Sequence, residues 1–220
     1  MNFLPSILDL LYPPKCMFCH RLLRKGEKNI CFSCMASLPV LEEAERRQSF
    51  GGISNCSSLF SYEGNVRESL LRYKFHEMQS YSAEYARLIC SNLEKDELKC
   101  DVISWVPLSR KRLRSRGYDQ ARLLAEGIAL NSMTPCIRVL EKNRNAAPQS
   151  GIGGRQARKA NIRGAYRIAA GAEITGKRIL LTDDIVTTGS TLVECAKVLL
   201  LAGAAEVKAV TVARRNLNGR

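Results

Sequence analysis

Two adjacent carboxylates, followed closely by hydroxyl residues and a glycine, form the segment of this sequence with the clearest chemical signature. Asp183 and Asp184 come after the apolar run 179–181, and the small polar residues behind them are Thr187, Thr188, Gly189, Ser190 and Thr191. Hydroxyl and backbone N–H groups at the start of a helix bind phosphate, and a glycine lets the backbone approach an anion closely. Ionised carboxylates accept hydrogen bonds from ribose hydroxyls. The segment therefore predicts a site for a sugar and its phosphate, because an ordinary capped turn explains only one or two of these residues.

Four cysteines near the start of the sequence form two C-x-x-C pairs. The pairs are Cys16 with Cys19 and Cys31 with Cys34, and they are separated by eleven residues, positions 20 to 30. Two such pairs can bring four thiolates to one tetrahedral Zn²⁺, and a closed shell of four protein ligands leaves no position for a reactive water. The spacing therefore predicts a structural zinc ribbon, with redox-active or incidental cysteines as the alternative.

The elements that position these residues alternate between apolar β-type runs and helical periods from Leu59 onward. Strands are predicted near 58–62, 101–106, 136–140, 178–182 and 206–212. Helices are predicted near 65–76, 81–95, 119–130 and 190–202. This alternation is typical of an α/β fold with a mostly parallel sheet flanked by helices, in which ligands bind beyond the carboxyl ends of the strands. The acidic pair is accordingly expected just after the strand at 178–182.

The domain organisation follows from where the patterns change. Residues 1–45 are predicted to form an N-terminal helix, near 3–12, and the small zinc ribbon, and residues 50–220 are predicted to form the α/β domain. The charged stretch at 42–48 is predicted to be a linker.

Composition narrows the classes of partner. The net charge is +13, from 34 Lys and Arg against 21 Asp and Glu. This excess favours polyanions, either phosphorylated metabolites or nucleic acid, although a cationic surface can also serve solubility alone. The apolar runs are far shorter than the roughly 20 residues of a membrane span, and the first residues lack a signal-peptide pattern. We therefore predict a reduced, cytoplasmic location with no membrane span.

The segment 179–191 resembles the PRPP-binding motif of type I phosphoribosyltransferases, where PRPP is 5-phosphoribosyl pyrophosphate. The resemblance implies that Asp183 and Asp184 meet the ribose 2′ and 3′ hydroxyls, while residues 187–191 cradle the 5′-phosphate. It also implies a type I phosphoribosyltransferase-like sheet, with PRPP or a related ribose 5-phosphate as the ligand.

Two further segments are similar to the ComF family, which joins an N-terminal zinc finger to a phosphoribosyltransferase domain. One begins at Val106-Pro107-Leu108 and runs to Ala121, and the other begins at Ala147-Pro148-Gln149 and runs to Tyr166. The likeness covers nearly all of the chain, and Asp119 stands where the family usually has asparagine. The resemblance implies an association with DNA uptake during natural transformation.

A transferase acting on PRPP must also stabilise the departing pyrophosphate, which calls for Mg²⁺ and cationic donors. Arg112 and Arg116 lie in a basic segment, predicted to be a loop, that follows the strand at 101–106, and arginine grips phosphate oxygens in a fork. A solvated basic loop is the alternative. Residues 143–160 correspond in position to the flexible loop that covers the active site in this fold, with a surface linker as the alternative.

Three functions stay open at this point. The first is a phosphoribosyltransferase with an unknown acceptor, and no catalytic side chain is singled out for it. The second is a non-catalytic accessory protein that senses PRPP or binds single-stranded DNA. Basic residues beside the zinc cysteines suit a nucleic-acid backbone, although the aromatic residues are not interleaved with basic ones as in stacking platforms. The third, a structural adaptor with a decayed site, is weakened by the intact acids and hydroxyls.

Overall fold

The computed structural model describes residues 13–143 and 164–215. The predicted helix at 3–12 and nearly all of the segment at 143–160 therefore lie outside the described residues. Within these two ranges, no helix is long and apolar enough to cross a membrane.

One mixed sheet organises the described residues. Its strands run in the order β1, β2, β7, β6, β3, and a separate hairpin pairs β4 with β5. The bounds of the strands are Arg47–Phe50 (β1), Ile53–Ser61 (β2), Val102–Trp105 (β3), Leu140–Lys142 (β4), Tyr166–Ile168 (β5), Arg178–Val186 (β6) and Glu206–Arg214 (β7). Only β1 is antiparallel within the large sheet, and the other four strands are parallel. The carboxyl ends of β2, β3, β6 and β7 consequently meet at one edge.

Eight short helices surround these strands within the described ranges. Their bounds are Phe32–Ser37 (α1), Glu43–Arg46 (α2), Gly64–Phe75 (α3), Tyr81–Asn92 (α4), Lys95–Leu98 (α5), Arg110–Arg116 (α6), Gln120–Ser132 (α7) and Ser190–Leu201 (α8). The predicted helices near 65–76, 81–95, 119–130 and 190–202 are confirmed, as is the predicted α/β fold with a parallel sheet.

The core has two buried clusters, one on each face of the sheet, and successive side chains of β6 belong to them alternately. Leu180 belongs to one cluster, while its neighbours Ile179 and Leu181 belong to the other. Successive side chains of a strand point to opposite faces of the sheet, so a central parallel strand must be apolar on both sides. The first cluster also contains Phe18 of the zinc ribbon, so the ribbon packs as part of the core.

Two predicted irregular segments are regular in the structure. The predicted linker at 42–48 forms α2 and the start of β1, because its charges find distant partners: Arg47 pairs with Glu94 at 2.8 Å and with Glu97 at 3.3 Å. The predicted basic loop is helix α6. Ser109 caps it by accepting a hydrogen bond from the Arg112 N–H at 3.3 Å.

One predicted strand is displaced and another is longer than predicted. Residues 136–140 contribute a single bridge, from Cys136 to Ile103, and only at Leu140 does β4 begin. Strand β6 continues to Val186, because Asp183 and Ile185 keep their pairing with β7. The acidic pair therefore lies within β6, near its carboxyl end, and does not follow the strand.

Candidate functional site

The two acids at the end of β6 point to different faces of the sheet. Asp184 forms an ion pair with Lys74 of α3, with 2.9 Å between the lysine Nζ and the carboxylate Oδ1. Asp183 acts electrostatically on Tyr166 and on Cys195 of α8, which lie on the other side. This division follows from the alternation of a strand. A ligand that meets both carboxylates must therefore approach the strand from its carboxyl end.

Lys74 is a site residue that the sequence analysis missed. Its side chain is 16% exposed and that of Asp184 is 12% exposed, so the ion pair is largely shielded from water. The signal was present in the sequence: Val66, Leu70 and Lys74 recur at a spacing of four, which places a lysine on the core-facing side of a helix. A charge at such a position needs a partner, and here the partner is Asp184.

Burial and neighbouring charges alter the ionisation of Asp183 and Asp119. Burial and, next in effect, the adjacent charge of Asp184 raise the pKa of Asp183 to about 7, against the opposing effect of Lys74. Burial also raises the pKa of a third carboxylate, Asp119, and the nearby charge of Asp184 acts in the same direction. Asp119 caps α7 and accepts hydrogen bonds from the N–H groups of Leu108, at 3.2 Å, and Arg122, at 3.3 Å. The site thus concentrates negative charge and favours hydroxyl donors or a cation.

Cations gather on the side of Asp183. Burial lowers the pKa of Lys142, and the nearby charge of Arg112 lowers it further. The lysine ammonium also lies 5.2 Å from the centre of the Tyr166 ring. Arg112, which the sequence analysis selected, is therefore beside the site, with Lys142 as an additional basic residue that was not foreseen.

Arg116, the other selected arginine, lies at the far end of α6. Its guanidinium donates to Gln120 Oε1 at 2.8 Å and lies 5.0 Å from the centre of the Phe75 ring. Arg116 therefore contacts α3 and α7, whereas Arg112 lies close to Lys142 and Tyr166.

The hydroxyl segment links β6 to α8, as predicted. Helix α8 begins at Ser190, and no side chain caps it at Gly189. The hydroxyls of Thr188 and Ser190 lie 2.8 Å apart, while Thr187 is exposed and Thr191 follows in the first turn. The first N–H groups of a helix have no partner within it, so this turn presents donors at the same edge as the acids.

Gly189 is required for a reason that the sequence did not reveal. Its φ is +70°, a left-handed conformation, and a Cβ atom there would lie 2.5 Å from Cδ1 of Phe50. Phe50 belongs to β1, on the outer edge of the sheet, and so packs against the start of α8. The sequence predicts that Gly189 allows the close approach of an anion, and the packing of Phe50 is a second reason for a glycine at this position.

The four cysteines of the two C-x-x-C pairs come together as predicted. Their Sγ atoms all lie within 4.8 Å of one another, and those of Cys19 and Cys31 are 3.7 Å apart. Tetrahedral zinc with Zn–S bonds of about 2.3 Å requires sulfur atoms about 3.8 Å apart, so the set fits a structural Zn²⁺. Backbone N–H groups of Cys31 and Cys34 donate to the sulfurs of Cys16 and Cys31, at 3.4 and 3.3 Å.

The zinc ribbon packs on strand β2 and helix α4. Phe18, inside the first C-x-x-C pair, makes edge-on contacts with Phe60 and Tyr85, at 5.8 and 6.2 Å between ring centres. Asn29 donates to Glu84 of α4 at 2.8 Å. The other cysteines of the described residues are free thiols and are buried or half-buried: Cys56, Cys90, Cys100, Cys136 and Cys195.

Comparison with known proteins agrees with this arrangement. Residues 131–218 match the phosphoribosyl transferase domain, and residues 7–45 match the double zinc ribbon domain. The chain is 29% identical over 206 residues to the DNA utilization protein YhgH of Salmonella typhimurium, covering 88% of this chain and 87% of that protein. These matches, a zinc ribbon ahead of a phosphoribosyl transferase domain, make the chain similar to proteins of the ComF family.

Other relatives of this chain carry competence names. Competence protein F of Haemophilus influenzae is 32% identical over 116 residues, which is 52% of this chain and 50% of that protein. Competence protein ComFC of Streptococcus pneumoniae is 29% identical over 163 residues, which is 74% of this chain and 69% of that protein. The matched region spans about half the length of several of these relatives.

Proposed function

We propose that the chain binds PRPP with Mg²⁺ at the carboxyl end of β6, as a phosphoribosyltransferase-type protein linked to DNA uptake. The observation that supports this most strongly is the position of Asp183 and Asp184 near the carboxyl end of β6, two residues before the turn that leads into α8. Carboxylates accept hydrogen bonds from ribose hydroxyls, and the start of a helix attracts the 5′-phosphate. One continuous segment thus offers partners to both parts of a ribose 5-phosphate.

The remaining charges suit the pyrophosphate of the same ligand. Arg112 and Lys142 lie beside Asp183, and Arg112 can grip phosphate oxygens in a fork. The carboxylates of Asp119, Asp183 and Asp184 are the kind of oxygen donor that Mg²⁺ prefers, and they would hold it. When bound with PRPP, Mg²⁺ neutralises charge on the departing pyrophosphate.

If the chain turns PRPP over, a nitrogen nucleophile forms a bond to C1 as the bond from C1 to the pyrophosphate oxygen breaks. The pyrophosphate leaves with the electron pair of that bond. In this reaction the residues of the chain orient the sugar and stabilise charge, and none of them needs to form a covalent intermediate. The free cysteines fit the proposed cytoplasmic location, where thiols stay reduced.

A second candidate is a PRPP-sensing accessory protein that binds single-stranded DNA. Helix α6 supports it, because Arg110, Lys111 and Arg114 are exposed on a helix that contains no acidic residue. The names of the relatives refer to competence and DNA utilization. The phosphate backbone of a nucleic acid would bind such a surface. A partner from the DNA-uptake machinery is the other candidate for this surface.

Changing both acids tests the proposed site. We expect Asp183→Asn with Asp184→Asn to weaken PRPP binding by at least about tenfold, because charge-assisted hydrogen bonds and Mg²⁺ donors are lost together. Calorimetric titration with PRPP and Mg²⁺ measures the change. The matched control is Asp101→Asn, since Asp101 pairs with Arg178 at the amino end of the same strand, away from the site. Equal affinity in the double variant and the unaltered chain would refute the assignment.

Pyrophosphate release then separates the two candidate functions. The unaltered chain is incubated with PRPP, Mg²⁺ and a panel of purine and pyrimidine bases, small amines and single-stranded DNA. Release that depends on an acceptor and disappears in the double variant supports a transferase. Tight PRPP binding with no release supports the sensing or DNA-binding protein.

A further inference from the structure

The last turn of α3 joins parts of the molecule that are far apart in the sequence. Arg72 donates from Nη2 to the carbonyl of Met17, at 3.0 Å, and to that of Phe18. Tyr73 donates to the carbonyl of Gln120 at 2.8 Å, and Lys74 pairs with Asp184 at 2.9 Å. Three consecutive residues therefore fasten this helix to the zinc knuckle, to the start of α7 and to the acidic pair.

The contact of Arg72 reaches the metal site itself. Met17 and Phe18 are the two residues between Cys16 and Cys19, so the position of their carbonyls depends on where those two thiolates lie. Both residues are buried, with exposures of 2% and 0%. A second contact ties the other end of the helix to the same site, since Asn65 Nδ2 lies 3.8 Å from the sulfur of Cys34. Zinc that fixes the four thiolates would thereby fix the position of α3.

The contact of Lys74 reaches the proposed ligand site. Among the ion pairs of residues 13–143 and 164–215, this one alone involves Asp183 or Asp184. Lys74 comes two positions after Arg72, which is a rise of about 3 Å along a helix. A hydrogen-bonded helix moves as a unit over such a short length, so a shift of the knuckle at Arg72 carries Lys74 with it.

We propose that Lys74 is a positioning residue of the ligand site and that the zinc knuckle holds it in place through Arg72. Lys74 offsets the charge of Asp184, so that a phosphorylated sugar meets a less negative site. Zinc and the sugar phosphate therefore bind cooperatively, each favouring the other. This inference rests on the proposed function of the acidic pair.

The first experiment uses the unaltered chain and needs no substitution. Zinc loss to a chelator selective for zinc over magnesium is followed with and without saturating PRPP and Mg²⁺. We expect PRPP to slow the loss by about fivefold or more, because coupling between two sites acts in both directions. An unchanged rate in a chain that binds PRPP would overturn the inference and leave the proposed function standing. A chain that does not bind PRPP would overturn both.

The second experiment separates Lys74 from a merely structural role. We expect Lys74→Met and Arg72→Met each to weaken PRPP binding by about tenfold in calorimetry, and Lys74→Arg to restore most of the affinity. The double variant should bind no more weakly than Lys74→Met alone, because Arg72 acts through Lys74. Additive losses, or Lys74→Met with the affinity of the unaltered chain, would contradict the proposal.

A control on the same helix excludes a general effect of losing charge. Arg67 is half-exposed and pairs only with its neighbour Glu68, at 2.6 Å, among the ion pairs of the described residues. We expect Arg67→Met to keep both its PRPP affinity and the protection of zinc by PRPP. A loss in Arg67→Met equal to that in Lys74→Met would overturn the proposed route. Elemental analysis of each variant shows whether zinc is still bound.

Discussion

Asp183 is the residue whose ionisation reports most directly on the site. It lies half-buried at the end of β6, next to a second carboxylate, and this environment raises its pKa to about 7. The usual value for a free aspartate is near 3.9, so the folded chain binds a proton that the unfolded chain releases between these two values. Without a ligand, the contribution of Asp183 to the free energy of unfolding should be highest below pH 4 and should fall as the pH rises towards 7.

A pH series on an uncharged variant checks this sign. We expect Asp183→Asn to unfold with a weaker pH dependence between pH 5 and 8, and to gain about 1–2 kcal/mol relative to the unaltered chain at pH 8. Denaturant unfolding measures both quantities. Asp101→Asn is the control, since Arg178 lowers the pKa of Asp101 to about 2 and this group stays ionised over the whole range. Parallel pH curves for Asp183→Asn and the unaltered chain would exclude the raised pKa.

Residues that share a segment were predictable, whereas their distant partners were not. Asp183 and Asp184 stand beside the hydroxyl turn in the sequence, so their chemistry could be read locally. Lys74 meets Asp184 only after α3 has packed on the sheet, and Phe50 meets Gly189 only because β1 is the edge strand. Contacts of this kind depend on tertiary packing, which a local pattern does not contain.

At the scale of elements, periodicity located the longer helices and failed where charged segments were predicted to be a linker and a loop. Helix α6 carries several positive charges in seven residues, which argued for a loop, but Ser109 caps its start and Gly117 ends it with a φ of 77°. The short strand β1 was not predicted because its residues are mostly polar. The buried residues of this hairpin are mainly in its pairing partner, β2. Caps and pairing partners outweighed composition in both segments.

The start of α8 offers a test of how β1 supports the site. We expect Gly189→Ala to destabilise the chain by about 2–4 kcal/mol, because an alanine at positive φ is strained and its Cβ would overlap Phe50. Denaturant unfolding measures the loss. Gly176→Ala is the matched control, since Gly176 has a φ of +71° but no atom within 4 Å of its added Cβ. Equal losses in the two variants would show that Phe50 adds nothing.

At the scale of the whole molecule, the ligand site and the basic surface share one region. Helix α6 carries Arg112, which lies close to Lys142, and ends at Arg116, which lies over the Phe75 ring of α3. The parallel strands gather their carboxyl ends at this edge, whereas the ion pair of Asp101 with Arg178 closes the opposite, amino edge. Part of the net charge of +13 therefore lies on α6, whose exposed basic residues are next to the proposed PRPP site.

This distribution predicts where single-stranded DNA binds if the accessory function holds. We expect replacing Arg110, Lys111 and Arg114 by Gln to weaken binding of a labelled oligonucleotide and to reduce the slope of log affinity against log salt by about 2, since each lost phosphate contact removes about 0.7. Arg112 is left unchanged because it belongs to the proposed ligand site. Fluorescence anisotropy over a range of salt concentrations measures the slope.

The control variant removes the same charge from the opposite edge of the sheet. Lys95, Lys99 and Lys177 lie before the amino ends of β3 and β6, and replacing them by Gln lowers the net charge equally. If binding follows the local surface of α6, this variant keeps nearly the full salt slope, because its lysines do not touch the phosphates. Equal weakening in both variants would mean that only the overall charge attracts DNA, and a flat salt response in the unaltered chain would rule out electrostatic binding altogether.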